Sequence, residues 1–240
     1  MTFQTNSLAD SSPPDLQHLQ RQVLSLIRET DRRSRRNRLA KYRPYSKQAE
    51  FHEAGSIHRE RLFMAGNQLG KTLAGSFEWA MHLTGKYPDW WKGKRFEFPV
   101  RLWAAGETRI STRDTVQKLL LGDPEKEEEW GTGAIPGDDL VDTFRSQGVP
   151  NALDSVTVKH QSGGTSTLLF KAYEQGRAKW QGETLHGVWF DEEPPLDIYT
   201  EGMTRTNATG GVVMLTFTPL KGMSDVVMMY LTDSDLKGMI

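Results

Sequence analysis

Cysteine is absent from the 240 residues, which excludes disulfides and thiolate metal sites. Histidine is scarce as well: six are scattered along the chain and none falls into a ligand-spaced cluster. A metal, if one is used, is therefore a hard ion on oxygen ligands. No apolar run approaches the ~20 residues of a membrane-spanning helix. The opening stretch, residues 1–14, is polar and contains Pro and Ser without the apolar core of a secretion signal. Excess charge is missing too. A net charge of −1 rules out a chain-wide polycation, so any nucleic-acid contact must come from a local patch. The cluster of Arg32, Arg33, Arg35, Arg36, Arg38, Lys41 and Arg43 is such a patch; its other reading is a solvated helix or an arm that packs on a neighbouring subunit.

What is present suffices for one α/β domain with embellishments: an apolar fraction of 37% spread over short runs. Residues 1–41 are expected to be a disordered tail followed by a basic amphipathic helical arm, because Leu16, Leu19, Val23, Leu24 and Ile27 recur at helical spacing. That helix is expected to run through the arginine cluster until Pro44 ends it. Residues 42–240 read as the main domain. Short apolar runs at 61–65, 100–105, 187–190 and 212–217 predict buried strands, with helices after the first two. Residues 156–160 and 166–171 flank a Ser-Gly-Gly turn and predict a hairpin. Residues 122–152, with their Gly, Asp and Pro, read as an inserted loop region. Strands alternating with helices predict a mainly parallel sheet covered on both faces.

The sharpest signal is the octet Ala65, Gly66, Asn67, Gln68, Leu69, Gly70, Lys71 and Thr72, which follows an apolar strand and opens a helical pattern. It matches the Walker A phosphate loop except at Ala65, where glycine is usual. In such a loop successive backbone N–H groups cradle phosphate oxygens. Gly70 lets the backbone approach closely, Lys71 reaches the β- and γ-phosphates, and the Thr72 hydroxyl ligates Mg²⁺. A second signal lies 120 residues downstream of Lys71, where an apolar strand ends in Asp191 and Glu192. Asp191 is suited to hold the Mg²⁺ shell, and Glu192 to orient or deprotonate the attacking water. Glu193 reads as a helix N-terminal charge. Thr216 and Thr218, at another strand end, are candidates to sense the γ-phosphate. Upstream, the Gln48 amide can pair with adenine, and Tyr45 or Tyr42 can stack on the base. ATP with Mg²⁺ is thus the expected substrate pair, and the expected fold is an α/β P-loop NTPase of the ASCE type with an N-terminal helical arm.

With these motifs in place the chain resembles the large terminase subunit of tailed bacteriophages. The segments that carry the likeness are residues 64–72, 45–48, the Tyr-Pro-Asp-Trp-Trp loop at 87–91, residues 182–192 and 216–218. The resemblance implies an ATPase that drives double-stranded DNA into a procapsid. It implies a homo-oligomeric ring on the portal protein, with a small terminase subunit choosing the DNA, in the host cytoplasm and outside the mature virion. In isolation a monomer is expected, and no membrane is involved. Relatives carry a nuclease domain after the ATPase domain. The chain stops at Ile240, so nuclease activity is not expected of it. Many relatives have arginine where this chain has Asn67 and Gln181, so an arginine finger must come from elsewhere: Arg177, Lys179 or Arg205. Two rivals stand beside this reading. One is a single-lobed helicase-like DNA-dependent ATPase; the other is a non-catalytic nucleotide-binding assembly subunit.

Overall fold

The computed structural model describes residues 14–219, 222 and 224–232. The expected tail at 1–14 lies almost wholly outside them. The chain divides at Arg35/Arg36 into two units. The first contains one helix, α1 (Pro14–Arg35), whose Leu19, Val23, Leu24 and Ile27 are exposed. The helix ends before Pro44, earlier than its periodicity predicts. Asn37 accepts a hydrogen bond from the Ala40 N–H at 3.3 Å, the local bond with which asparagine competes against helix. A 3₁₀ turn, Leu39–Lys41, follows.

The second unit is built on seven strands: β1 (Glu60–Met64), β2 (Arg101–Gly106), β3 (Leu140–Arg145), β4 (Leu153–Lys159), β5 (Thr165–Ala172), β6 (Gly187–Asp191) and β7 (Val212–Phe217). They form one sheet in the order β1-β7-β6-β2-β5-β4-β3. The first five in that order are parallel, and β4 and β3 are added antiparallel. The expected hairpin is β4–β5. Helices α2 (Ser46–Ala54) and α3 (Lys71–Thr84) precede and follow β1. After β2 come α4 (Arg109–Thr112), a π-helical stretch (Arg113–Gln117) and α5 (Lys118–Leu121); α6 (Leu196–Arg205) and α7 (Asp225–Thr232) lie toward the C-terminal end. No described helix is long and apolar enough to cross a membrane.

Both faces of the central strands are covered, which is why they read as continuous apolar runs. Alternation sorts their side chains into two cores. Leu102, Ala104, Trp189, Val212 and Met214 pack with Phe77, Trp79, Ala80 and Met81 of α3. Trp103, Ala105, Val188, Phe190, Val213, Leu215 and Phe217 pack with Ile198 and Tyr199 of α6 and Val226, Val227 and Tyr230 of α7. The same parity puts Asp191 and Thr216 on the α3 side of the sheet. Gly75 lets α3 lie close: a Cβ there would sit 2.6 Å from the Trp189 ring.

Residues 122–152 are more structured than their composition suggests. Trp130, Ala134 and Ile135 are buried in the α3-side core, and β3 forms the outer edge of the sheet. The apolar residues Val141 and Phe144 of β3 are exposed, so the strand has no hydrophobic alternation to announce it.

Candidate functional site

The phosphate loop joins β1 to α3. Gln68 and Gly70 take left-handed backbone conformations (φ 59° and 72°), and Gly70 caps α3. Beside this loop, β7 lies between β1 and β6, pairing Phe63 with Thr216 and Thr216 with Asp191. One adjacency therefore gathers the ends of three strands. The Lys71 ammonium donates to Ala65 O (2.9 Å), Gly66 O (2.8 Å) and Thr218 Oγ1 (3.1 Å). Thr218 Oγ1 donates in turn to Asn67 Oδ1 at 2.8 Å. Asn67 thus ties the loop to the end of β7.

Asp191 is buried. Its carboxylate accepts from Thr216 Oγ1 at 2.8 Å, and Thr216 in turn accepts from Trp189 Nε1 at 2.7 Å. An indole N–H only donates, so the single Thr216 proton is directed at Asp191. Burial pushes the Asp191 carboxyl up to about 7, against the hydrogen bonds from Thr216 and Thr72; Glu192 adds to the rise and Lys71 opposes it. Burial also lowers Lys71, and the charges of Glu192 and Asp191 partly counter this. Two oxygens, from Thr72 and Asp191, converge here. That donor set fits Mg²⁺, which takes one or two carboxylates and completes its shell with phosphate and water. Among the described residues no group of three His, Asp or Glu offers an all-protein metal cage.

Glu192 is exposed and left-handed (φ 65°), with its N–H on Thr216 O at 2.9 Å. Tyr173 lies in a 3₁₀ turn after β5, and its single hydroxyl proton is shared between Asp191 O (2.9 Å) and Glu192 O (2.8 Å). Glu193 instead lines a crevice with Glu107, Thr108, Tyr173 and Glu174.

Gln48 is buried, and its amide is engaged on both sides. Oε1 accepts from Tyr45 N (3.3 Å) and the Tyr42 hydroxyl (3.4 Å), while Nε2 donates to Gly70 O at 2.8 Å. Tyr42 is stacked on Phe77 in the core, whereas Tyr45 is half-exposed beside Gly70. Arg177, from the 3₁₀ turn Arg177–Trp180, and Arg205 of α6 both bond the buried Glu201 of α6 at 2.9 Å. Lys179 lies in the same 3₁₀ turn as Arg177. Sequence reasoning passed over Tyr173 and Trp189. The one available signal for Tyr173 was its place after the carboxyl end of a parallel strand, where sites of such sheets gather.

A family model described as "Terminase large subunit, T4likevirus-type, N-terminal" matches residues 62–236. The chain is 48% identical over 227 residues to the terminase large subunit of Salmonella phage P22, and 28% identical over 229 residues to that of Enterobacteria phage LP7. Each match covers 88% of this chain, but 46% and 47% of the relatives, so the chain spans about half their length. In fold it is similar to a solved large terminase from a thermophilic bacteriophage, with a TM-score of 0.50 at 16% identity over 73% of this chain and 39% of that one. With the matched model covering most of its length, the chain belongs to the terminase large subunit family.

Proposed function

We propose that this chain is the ATP-hydrolysing part of a DNA-packaging motor. The observation that carries the proposal is the convergence of Lys71, Thr218, Thr216, Asp191 and Glu192 across three adjacent strand ends. In this reading the loop amides of residues 66–72 and the Lys71 charge hold the β- and γ-phosphates. Thr72 and Asp191 hold Mg²⁺, which neutralises charge on the phosphate oxygens. Glu192 orients the attacking water and takes its proton. Thr216 and Thr218 couple the state of the γ-phosphate to β7, since one contacts Asp191 and the other Lys71. Tyr45 stands at the adenine end, and Gln48 braces the loop behind it. Arg177, 60% exposed, is the arginine suited to reach a neighbouring subunit.

The work done is translocation of double-stranded DNA into a procapsid by a ring of subunits on the portal protein, with a small terminase subunit as partner. The place is the host cytoplasm during assembly.

Glu192→Gln and Glu193→Gln, compared side by side for Mg²⁺–ATP affinity and phosphate release, test this reading. Glu192→Gln is expected to bind as the parent does and to hydrolyse at least ~10²-fold more slowly, since a base acts only as the transition state forms. Glu193→Gln is expected to stay active. If the two variants exchange behaviours, the neighbouring glutamate holds the role; if both are active, the assignment of the acidic strand end falls.

A further inference from the structure

Glu192 poses a steric problem. A non-glycine residue in the left-handed region is strained, because Cβ crowds the following carbonyl. It keeps that conformation only if its surroundings over-determine it. Two tethers do so here. The Glu192 N–H is fixed by Thr216 O of β7. The carbonyls on either side of the Glu192 Cα, Asp191 O and Glu192 O, are both held by the Tyr173 hydroxyl.

With both flanking peptide units held, φ and ψ of Glu192 are fixed, and with them the direction in which its Cβ leaves the chain. Tyr173 is well placed to act as a peg. It is buried and packs near Trp180 and Phe190, with ring centroids 6.1 and 6.2 Å away. The peg also comes from a different strand. Tyr173 follows β5, which is separated from β6 by β2, so it is an anchor independent of the β6–β7 pairing.

We infer that Tyr173 is a positioning residue: through its hydroxyl it holds Glu192 in the left-handed conformation that aims the carboxylate at the attacking water. The inference rests on Glu192 being the group that acts on water. Without the hydroxyl, the two carbonyls lose their shared donor and the backbone is free to relax toward negative φ. The carboxylate then leaves its aim, while the phosphate loop and the metal-holding Asp191 side chain stay as they are.

Tyr173→Phe removes the hydroxyl and keeps the ring. The expected result is a kcat lowered about tenfold or more, with Mg²⁺–ATP affinity within twofold of the parent, the pattern of a group that matters only in the transition state. In the Glu192→Gln background the same substitution is expected to change nothing further. Restoring a donor with p-aminophenylalanine at position 173 is expected to recover at least half of the parental kcat. A folded Tyr173→Phe variant with parental kcat, beside an inactive Glu192→Gln, overturns the inference and leaves the proposed function standing. An active Glu192→Gln overturns both. Should the phenylalanine variant not fold, the p-aminophenylalanine variant decides: parental turnover supports the peg, and lost turnover with the donor in place overturns it.

Discussion

Two buried carboxylates sit on the same side of the sheet and have opposite fates. Glu78, in the middle of α3, is held far below the ordinary range despite complete burial, because Arg61 faces it and His52 and His82 bond to it. Arg61 reaches Glu78 from β1 and also donates to Phe51 O at 2.8 Å; His52 approaches from α2 at 2.7 Å. Asp191 has only hydroxyl donors, and burial pushes it up to about 7. The nearby cation, Lys71, spends its hydrogen bonds on Ala65, Gly66 and Thr218. The lesson is one of compensation. Where a guanidinium and two imidazoles surround a buried charge, the cluster fixes helices α2 and α3 against β1. Where the cation is withheld, the charge is left to be completed by something that comes and goes.

Linkage gives the two groups opposite signs. Glu78, with its lowered pKa, contributes stability that is present above its unfolded pKa and is lost as pH falls. Asp191, with its raised pKa, binds its proton more tightly in the folded state. Its contribution therefore declines as pH rises from about 4 to about 7.

The largest expected effect is on the structural side. Arg61→Leu takes the permanent cation from the buried Glu78 and leaves it only its histidine partners, and is expected to cost about 3–5 kcal/mol in denaturant unfolding. A loss under 1 kcal/mol would break the comparison. On the other side, Lys71→Ala is expected to reduce turnover by roughly 10²–10³-fold, the range for losing one preorganised charge donor. It should also weaken nucleotide binding, while the unfolding midpoint barely moves; parental turnover would sink the phosphate-loop assignment.

Neutralising each carboxylate sharpens the contrast. Glu78→Gln is expected to destabilise. Asp191→Asn is expected to stabilise at about pH 8 by roughly 1 kcal/mol, because an uncompensated buried charge is removed at the expense of function. It should also abolish Mg²⁺-dependent nucleotide binding. Two variants shifting in the same direction would show that cation pairing does not separate the two sites. The native chain offers a milder test. Mg²⁺–ATP affinity should rise as pH climbs toward about 7 and level off above it, with proton release on binding in the acidic arm, since the metal takes a deprotonated ligand. Calorimetry in buffers of differing ionisation heat reads this directly.

The smallest effect concerns Gln48. With its amide on Gly70, Gln48→Ala is expected to raise the Michaelis constants for ATP and GTP alike, by about fivefold for one lost hydrogen bond. A fall in ATP-over-GTP preference would instead show that the amide reads adenine.

These contrasts also mark what the sequence could convey. The places of Lys71, Thr72 and Asp191 were legible because they depend on local spacing: a loop of fixed length after a strand, and an acid at a strand's end. Thr216 and Thr218 were legible through strand adjacency, and β7 does lie between β1 and β6. Glu78 gave no signal, because a glutamate on a helix reads as solvated until its neighbours from β1 and α2 are known. Tyr173 was hidden for the same reason, since its partners lie two strands away. The β3 edge failed differently: Val141 and Phe144 are exposed and only Leu140 packs on the core, so no alternation existed to be read.

The close seat of α3 on β6 has a mechanical consequence. At Gly75 the helix rests on the Trp189 ring with no room for even a methyl group, and that ring's N–H leads through Thr216 to Asp191. The helix that begins with Lys71 and the strand that ends with Asp191 are therefore clamped, like two arms of a vice with the screw tight. A joint without slack transmits force and does not absorb it. In the proposed motor, the flexing of a working stroke would fall instead to the far side of the clasp, where Thr218 bridges Lys71 and Asn67 by single hydrogen bonds.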